Sequence, residues 1–80
     1  MGYPRRRPKR LAEKLKQIRE SLGLSQSELV AELGLDFHYS YISKFELGRN
    51  EPDMIVILAY ARLVGVPMEQ FADDGLELDL

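Results

Sequence analysis

The sequence contains no cysteine, a single histidine and no long run of apolar residues. Without cysteine, the chain can form neither a disulfide framework nor a thiolate metal site. No apolar run approaches the roughly 18 residues that a membrane-spanning helix requires. The basic N-terminus, MGYPRRRPKR, lacks the apolar stretch that makes a signal peptide. From these absences we expect a cytoplasmic protein of a prokaryotic cell, with no membrane contact.

Catalytic and metal-binding roles also find little support in the sequence. No candidate serine–base–acid arrangement accompanies His38, so we do not expect an enzyme. The adjacent carboxylates Asp73 and Asp74 lack the glycine pattern of a calcium-binding loop, so we expect no metal and no cofactor. The chain has 80 residues, 45% of them hydrophobic and 30% charged, which is typical of one small globular domain. A core this small would gain from oligomerisation.

The net charge of −2 conceals a strong asymmetry between the two ends of the chain. Residues 1–10 carry five positive charges and no negative ones, and residues 67–80 carry five negative charges and no positive ones. A local basic segment can bind phosphate whatever the net charge. We therefore divide the chain into a flexible basic arm (1–8), a central domain (9–72) and an acidic tail (73–80).

Apolar spacing and capping residues predict five short helices and an all-α fold. The first covers residues 9–22, with Leu11, Leu15, Ile18 and Leu22 inward and Lys14, Lys16 and Arg19 off that stripe. The second helix opens with a capping box formed by Ser25 and Glu28 and ends at Gly34. The third runs from its N-cap Asp36 to Leu47, and the fourth runs from its N-cap Asp53 to Gly65. The fifth has Pro67 at its first position and ends near Ala72. The tail GLELDL alternates, which suits a brief strand or an extended segment.

Three stretches carry a more specific signal: LSQSELVAELGL, YISKFELGRNEP and ILAYARLVGV. Present in this order over residues 11–72, they resemble the Cro/repressor-type helix-turn-helix family, also called the XRE family. The resemblance implies a lambda-repressor-like domain of five helices. It further implies a sequence-specific DNA-binding regulator, acting as a repressor, whose third helix enters the major groove of double-stranded DNA.

The resemblance also implies which residues meet DNA. The expected base contacts are Tyr39, Ser40 and Lys44, with His38 and Ser43 beside them. The expected phosphate contacts are Gln26, Arg49 and Asn50, joined by the arm residues Arg5, Arg6 and Arg7. Chemically, Lys44 can donate to guanine, Ser40 can donate or accept, and a tyrosine ring can pack on a thymine methyl group. For His38, a helix-capping or simply exposed role is as plausible as a phosphate contact.

Two departures from the family pattern affect this assignment. Gly34 lies seven residues before Tyr41 where the family commonly has five, so two extra residues sit in the turn or in the first turn of the third helix. Val30 replaces an alanine that the family commonly has where the two helices approach closely. Phe37 should be half-buried in the lengthened turn, and at least one of Tyr39 and Tyr41 should be exposed.

The fourth helix is apolar nearly all round, which predicts a partner for its second face. Its inward residues by resemblance are Met54, Ile57, Tyr60, Ala61 and Val64. Its other face carries Ile55, Val56, Ala59 and Leu63. Either the tail residues Leu76, Leu78 and Leu80 or a second subunit could cover this face. We favour a homodimer, to which the tail could contribute and which would bind an inverted-repeat operator with half-sites about one helical turn apart. The alternative function is an antitoxin or other protein-interaction module that neutralises a toxin partner through the acidic tail.

Overall fold

A computed structural model describes residues 8–80, whose backbone forms five helices joined by short turns. The helices are α1 (Leu11–Leu22), α2 (Gln26–Leu33), α3 (Ser40–Glu46), α4 (Met54–Val64) and α5 (Glu69–Ala72). Within this described part of the chain there is no β-strand, and no helix is long and apolar enough to cross a membrane. The prediction of an all-α fold of five short helices is confirmed. Arg5, Arg6 and Arg7 of the arm lie outside the described residues.

Local hydrogen bonds open α2 and α4 where the sequence predicts. Ser25 Oγ accepts the Glu28 N–H at 3.1 Å, and the Glu28 carboxylate accepts the Ser25 N–H at 2.8 Å, which completes the capping box. The Asp53 carboxylate accepts the Val56 N–H at 3.0 Å. Three helices end at the predicted glycines, each with a positive φ: Gly23, Gly34 and Gly65. The limits of these elements are therefore encoded locally.

The third helix begins later than the sequence predicts. The prediction of Asp36 as its N-cap is wrong, because α3 starts at Ser40. Phe37 is half-buried in the turn before it, with its ring edge-on to that of Phe45 at 6.1 Å between centroids. Burying this ring keeps residues 34–39 out of the helix. The extra residues thus lie in the turn, and α3 is only seven residues long.

Helix α1 packs against α3, α4 and α5, helix α2 packs against α3 and α4, and the core lies between these helices. Its largest fully buried apolar or aromatic side chains are Tyr60, Phe71, Leu15, Ile18, Leu29 and Ile42. Removing a side chain of this size from water stabilises the fold by about 1.5–3 kcal/mol. The Tyr60 hydroxyl is buried with no hydrogen-bond partner among the described residues, and burial raises its pKa.

Lys14 is fully buried, so the prediction that it lies off the apolar stripe of α1 is wrong. It follows Leu11 by three residues and precedes Ile18 by four, and this spacing places it on the buried face. Its ammonium group donates to the backbone oxygens of Gln70 at 2.6 Å and of Asp73 at 2.8 Å. Lys14 therefore satisfies carbonyl groups at the C-terminal end of α5.

The C-terminal segment packs back on the start of α1. The Asp74 carboxylate accepts the N–H groups of Lys9 at 2.9 Å and of Arg10 at 3.0 Å. The Arg10 guanidinium in turn donates to the Asp74 carbonyl at 3.1 Å and to Glu77 at 2.8 Å. Leu78 is buried, and residues 77–80 form no strand. These bonds supply the N-cap that α1 lacks locally, and α1 begins at Leu11 rather than at residue 9.

Three smaller predictions are also corrected. Leu22 and Met54 were expected to point inward, but 41% and 73% of their surfaces are exposed. Each occupies the terminal turn of its helix, at the edge of the core. Pro67 lies two residues before α5 instead of at its first position, and its carbonyl accepts the Gln70 N–H at 3.1 Å.

Candidate nucleic-acid interface

The outer face of α3 carries mainly polar side chains, because its apolar residues point inward. Ile42 and Phe45 are buried against the core. Successive residues of a helix are rotated by about 100°, so the residues opposite this pair can be identified from their spacing. They are Ser40, Ser43, Lys44 and Leu47, of which Lys44 and Leu47 are exposed and the serines are partly exposed. The structure thus brings three of the predicted base-contacting residues to one face.

A buried ion pair holds the end of α3 against α1. Arg19 Nε donates to Glu46 at 2.7 Å and Arg19 Nη2 donates to the second carboxylate oxygen at 2.9 Å. The side chain of Glu46 is only 5% exposed, and that of Arg19 is 19% exposed. Arg19 Nη1 also donates to the Leu24 carbonyl at 3.1 Å, which ties the α1–α2 turn to the same pair. Hydrogen bonding to Glu46 raises the pKa of Arg19.

At the other end of α3, the side chain of His38 acts as the cap. His38 Nδ1 accepts the Ser40 N–H at 3.1 Å and lies 2.9 Å from Ser40 Oγ. In this contact the Ser40 hydroxyl donates or accepts according to the tautomer of His38. The capping role for His38, one of the alternatives left open by the sequence, is the one its contacts favour.

Aromatic rings flank this start of the helix. The Tyr39 ring stacks on His38 with 4.3 Å between centroids, and half of the Tyr39 surface is exposed. Tyr41 is 42% exposed, and its ring lies 5.8 Å from that of Phe37. Lys44 Nζ lies 5.1 Å from the centre of the Tyr41 ring. This cation–π contact holds the Lys44 ammonium group beside the helix without neutralising its charge.

The loop after α3 folds back on that helix. The Lys44 carbonyl accepts the N–H groups of Arg49 at 2.9 Å and of Asn50 at 3.3 Å. Gly48 makes this possible, since its φ of 72° lies in the left-handed region that other residues avoid. Both side chains after it are exposed. Arg49 and Asn50 thus lie beside one end of the outer face of α3.

Gln26 lies on another side of that face. It lines a shallow groove together with Ser43, Leu47 and Lys16 of α1. Lys16 is exposed, and its position beside Gln26 gives the groove a positive charge that the sequence did not reveal. Lys16 belongs to α1 and Gln26 to α2, so only the fold brings these two residues together. Glu28 lies on the same helix as Gln26, and the hydrogen bond from the Ser25 N–H lowers the pKa of its carboxyl group.

The second face of α4 is only partly free. Ile55 is 68% exposed, whereas Ala59 and Leu63 are half-buried and pack against the core. Val56 is buried, with 8% of its surface exposed, and offers little area to a partner. Ile55, Ala59 and Leu63 line a groove between α4 and α2. Among residues 8–80 no group of three potential metal ligands is close enough to hold an ion.

Comparison with known protein families identifies the class of this chain. The sequence profile of the helix-turn-helix family HTH_3 matches residues 15–71. The chain belongs to this helix-turn-helix family. The matched region contains α2, the long turn and α3 in full, so these elements form the helix-turn-helix unit. No curated protein matches the sequence.

Two solved structures are similar to the helix-turn-helix protein. One is the restriction-modification controller protein C.AhdI from Aeromonas hydrophila, with 28% identity and a TM-score of 0.63 over 75% of this chain and 88% of that chain. The other is a hypothetical transcription factor, NHTF, from Neisseria, with 29% identity and a TM-score of 0.65 over 88% of this chain and 83% of that chain. With the family match, they make this helix-turn-helix protein a DNA-binding transcriptional regulator. The family and the DNA-binding regulatory function predicted from the sequence are confirmed.

Proposed function

We propose that the helix-turn-helix protein represses transcription by occupying an inverted-repeat operator as a symmetric dimer, with α3 in the major groove. The observation that carries the proposal is the outer face of α3, where Ser40, Ser43 and Lys44 point away from the core. An α-helix fits the major groove of B-DNA, and each base pair presents a distinct hydrogen-bonding pattern there. The controller role stated for C.AhdI supports a regulatory role for this chain. Such a repressor would act on the nucleoid of a prokaryotic cytoplasm.

The side chains of this face suit different bases. Lys44 can donate to O6 and N7 of guanine. The Ser40 hydroxyl, 2.9 Å from His38 Nδ1, can donate to or accept from a base edge. The exposed ring of Tyr39 can pack on a thymine methyl group. Ser43, at the edge of the groove shared with Gln26, is the fourth base-contacting residue of the proposal.

Phosphate contacts would come from both sides of α3. Gln26 and Lys16 lie on one side, and the exposed residues Arg49 and Asn50 lie on the other. We propose that the basic arm adds sequence-independent attraction to the phosphates. Pro8 and Lys9, where the arm joins the domain, line a cleft with Asn50, so the arm starts beside the proposed phosphate-binding loop. Phosphate contacts of this kind fix the register of a protein on DNA but carry no base information.

Binding measurements with Lys44→Ala test the placement of α3. On an operator selected from random DNA, we expect a loss of about 1–3 kcal/mol, with little change on scrambled DNA. Gln17→Glu is the control, because it changes the net charge by the same amount at an exposed position of α1. It should weaken binding to both DNAs slightly and equally. Equal losses of Lys44→Ala on both DNAs would mean that Lys44 contacts the backbone and that the proposed register of α3 is wrong.

The dimer is proposed to form through the groove between α2 and α4. Ile55, at its edge, exposes 68% of its surface, and Ala59 and Leu63 continue the apolar strip. Ile55→Glu should therefore shift the protein from dimer to monomer in sedimentation experiments at micromolar concentration. Met54→Glu is the control, since Met54 is equally exposed at the start of α4 but lines a different cleft, next to α5. A wild-type protein that sediments as a monomer with and without DNA would refute the dimer.

No contact among residues 8–80 specifically favours the antitoxin alternative. Asp74 and Glu77 of the acidic tail bind Lys9 and Arg10 of the same chain. A toxin would have to displace these contacts in order to use the same carboxylates. Co-purification of a second protein with the expressed chain would revive this alternative.

A further inference from the structure

The outer face of α3 ends in an exposed leucine whose position is not explained by the fold. Leu47 follows Ser40 by seven residues and Lys44 by three, so the three side chains form one stripe along the helix. It exposes 64% of its surface, and its backbone keeps helical angles at the C-cap. With a rise of about 1.5 Å per residue, Leu47 lies roughly 10 Å from Ser40 along the axis.

The surroundings of Leu47 connect it to the proposed DNA-binding surface. Leu47 shares its groove with Ser43, Gln26 and Lys16, three residues that the proposed function assigns to base or phosphate contacts. The exposed apolar residues Met54 and Ile55 lie in other clefts, which belong to α4. A helix that enters the major groove along this stripe brings Leu47 to the base edges together with Lys44.

An apolar side chain has one suitable partner in the major groove. Leu47 cannot donate or accept a hydrogen bond, and every base edge there except the C5 methyl group of thymine is polar or unsubstituted. A leucine pressed against polar edges would leave their hydrogen bonds unmade, which is costly. A thymine methyl group would bury apolar area on both sides of the contact.

We propose that Leu47 packs on a thymine methyl group and makes the protein select thymine at one position in each half-site. This inference rests on the proposed placement of α3 in the major groove. It adds an apolar residue, Leu47, to the polar residues Ser40 and Lys44 that select bases. Salt should affect the apolar contact of Leu47 less than the charged contact of Lys44. Burying one methyl group corresponds to about a three- to tenfold change in affinity.

Replacing thymine by deoxyuridine tests the contact, because this change removes the methyl group and leaves base pairing intact. An operator is first selected from random DNA, and each thymine of both half-sites is then replaced in turn. For the wild-type protein, we expect replacement at one position, the same in both half-sites, to weaken binding about three- to tenfold per half-site. Leu47→Ala should bind the unmodified operator more weakly and should be insensitive to the same pair of replacements.

Two further variants make the result specific. Leu47→Met keeps an apolar side chain and should retain the sensitivity to deoxyuridine. Leu80→Ala removes another exposed leucine, at the end of the acidic tail, and should behave like the wild type. If wild type and Leu47→Ala respond identically to every replacement, the inference about Leu47 is overturned while specific binding stands. If no operator can be selected at all, the proposed function fails, and the inference fails with it.

Discussion

Replacing Arg19 by alanine should destabilise the fold strongly, because it leaves a buried carboxylate without its partner. Arg19 makes two hydrogen bonds of 2.7 and 2.9 Å to Glu46, whose side chain is 5% exposed. Removal of the guanidinium would leave this carboxylate buried and unpaired. Breaking such a pair from one side costs about 3–5 kcal/mol, because the remaining charge keeps its desolvation penalty and loses its partner. The Leu24 carbonyl would lose its donor as well.

This cost is large for a domain of this size. Proteins have a free energy of unfolding of roughly 0.05–0.15 kcal/mol per residue, which gives about 4–12 kcal/mol for 80 residues. A loss of about 3 kcal/mol would lower the melting temperature of such a domain by roughly 12–24 °C. Arg19→Ala should therefore be partly unfolded near physiological temperature.

Urea unfolding followed by circular dichroism measures the effect. Glu13→Ala is the control: Glu13 accepts a 2.6 Å hydrogen bond from Arg10, but its side chain is 62% exposed, so the change should cost less than about 1 kcal/mol. The double variant Arg19→Met/Glu46→Leu should recover most of the stability, because it removes both charges and keeps the volume. If Arg19→Ala costs no more than Glu13→Ala, the ion pair does not anchor α3 and the reasoning is refuted.

Three further predictions follow from buried or charged groups. Tyr60→Phe should leave stability unchanged or raise it by about 1 kcal/mol, since the buried hydroxyl has no partner among the described residues; a urea midpoint that falls clearly would reveal one. The N–H groups of Arg10 and Lys9 lower the pKa of Asp74 below its usual 3.8, so the docking of the tail should be complete above pH 4 and lost as the pH falls further. Amide signals of Lys9 and Arg10 in NMR spectra should report this loss. Asp74→Asn should weaken its pH dependence and leave the part that comes from Glu77, whose pKa the hydrogen bond from Arg10 also lowers. Replacing Arg5, Arg6 and Arg7 by alanine should weaken binding to specific and random DNA alike and flatten the salt dependence by about 0.9 slope units per lost phosphate contact; a loss confined to the operator would contradict this.

Most of the fold could be predicted because its signals are local. The capping box of Ser25 with Glu28, the N-cap Asp53 and the terminal glycines each act within one turn of chain. Both partners of such a contact lie within a few residues of each other in the sequence. The spacing of Leu15 and Ile18 likewise indicates the buried face of α1. These features were confirmed because no distant residue competes with them.

The features that sequence reasoning missed depend on distant contacts. Lys14 looks solvent-exposed by residue type, and its carbonyl partners lie 56 and 59 residues away. The cap of α1 comes from Asp74, which is more than 60 residues from Arg10. The late start of α3 depends on the burial of Phe37 against Phe45 and on a histidine acting as cap, a residue outside the usual capping types.

The candidate site was predictable in part for the same reasons. The spacing of Ser40, Ser43 and Lys44 places them on one helical face whatever the exact start of the helix. Leu47 belongs to the same stripe and could have been recognised by its spacing, but from the sequence it was interpreted only as the end of the third helix. Lys16 could not have been recognised, because it lies on α1 and only the fold brings it beside Gln26 of α2.

Methylation interference tests directly whether α3 reads bases from the major groove, which is the central claim. Dimethyl sulfate modifies guanine at N7, which lies in the major groove, and adenine at N3, which lies in the minor groove. On the selected operator, guanine methylation in two half-sites about one helical turn apart should block the wild-type protein. Lys44→Ala should lose its sensitivity at one guanine in each half-site. Interference confined to adenine N3, with none at guanine N7, would contradict the account.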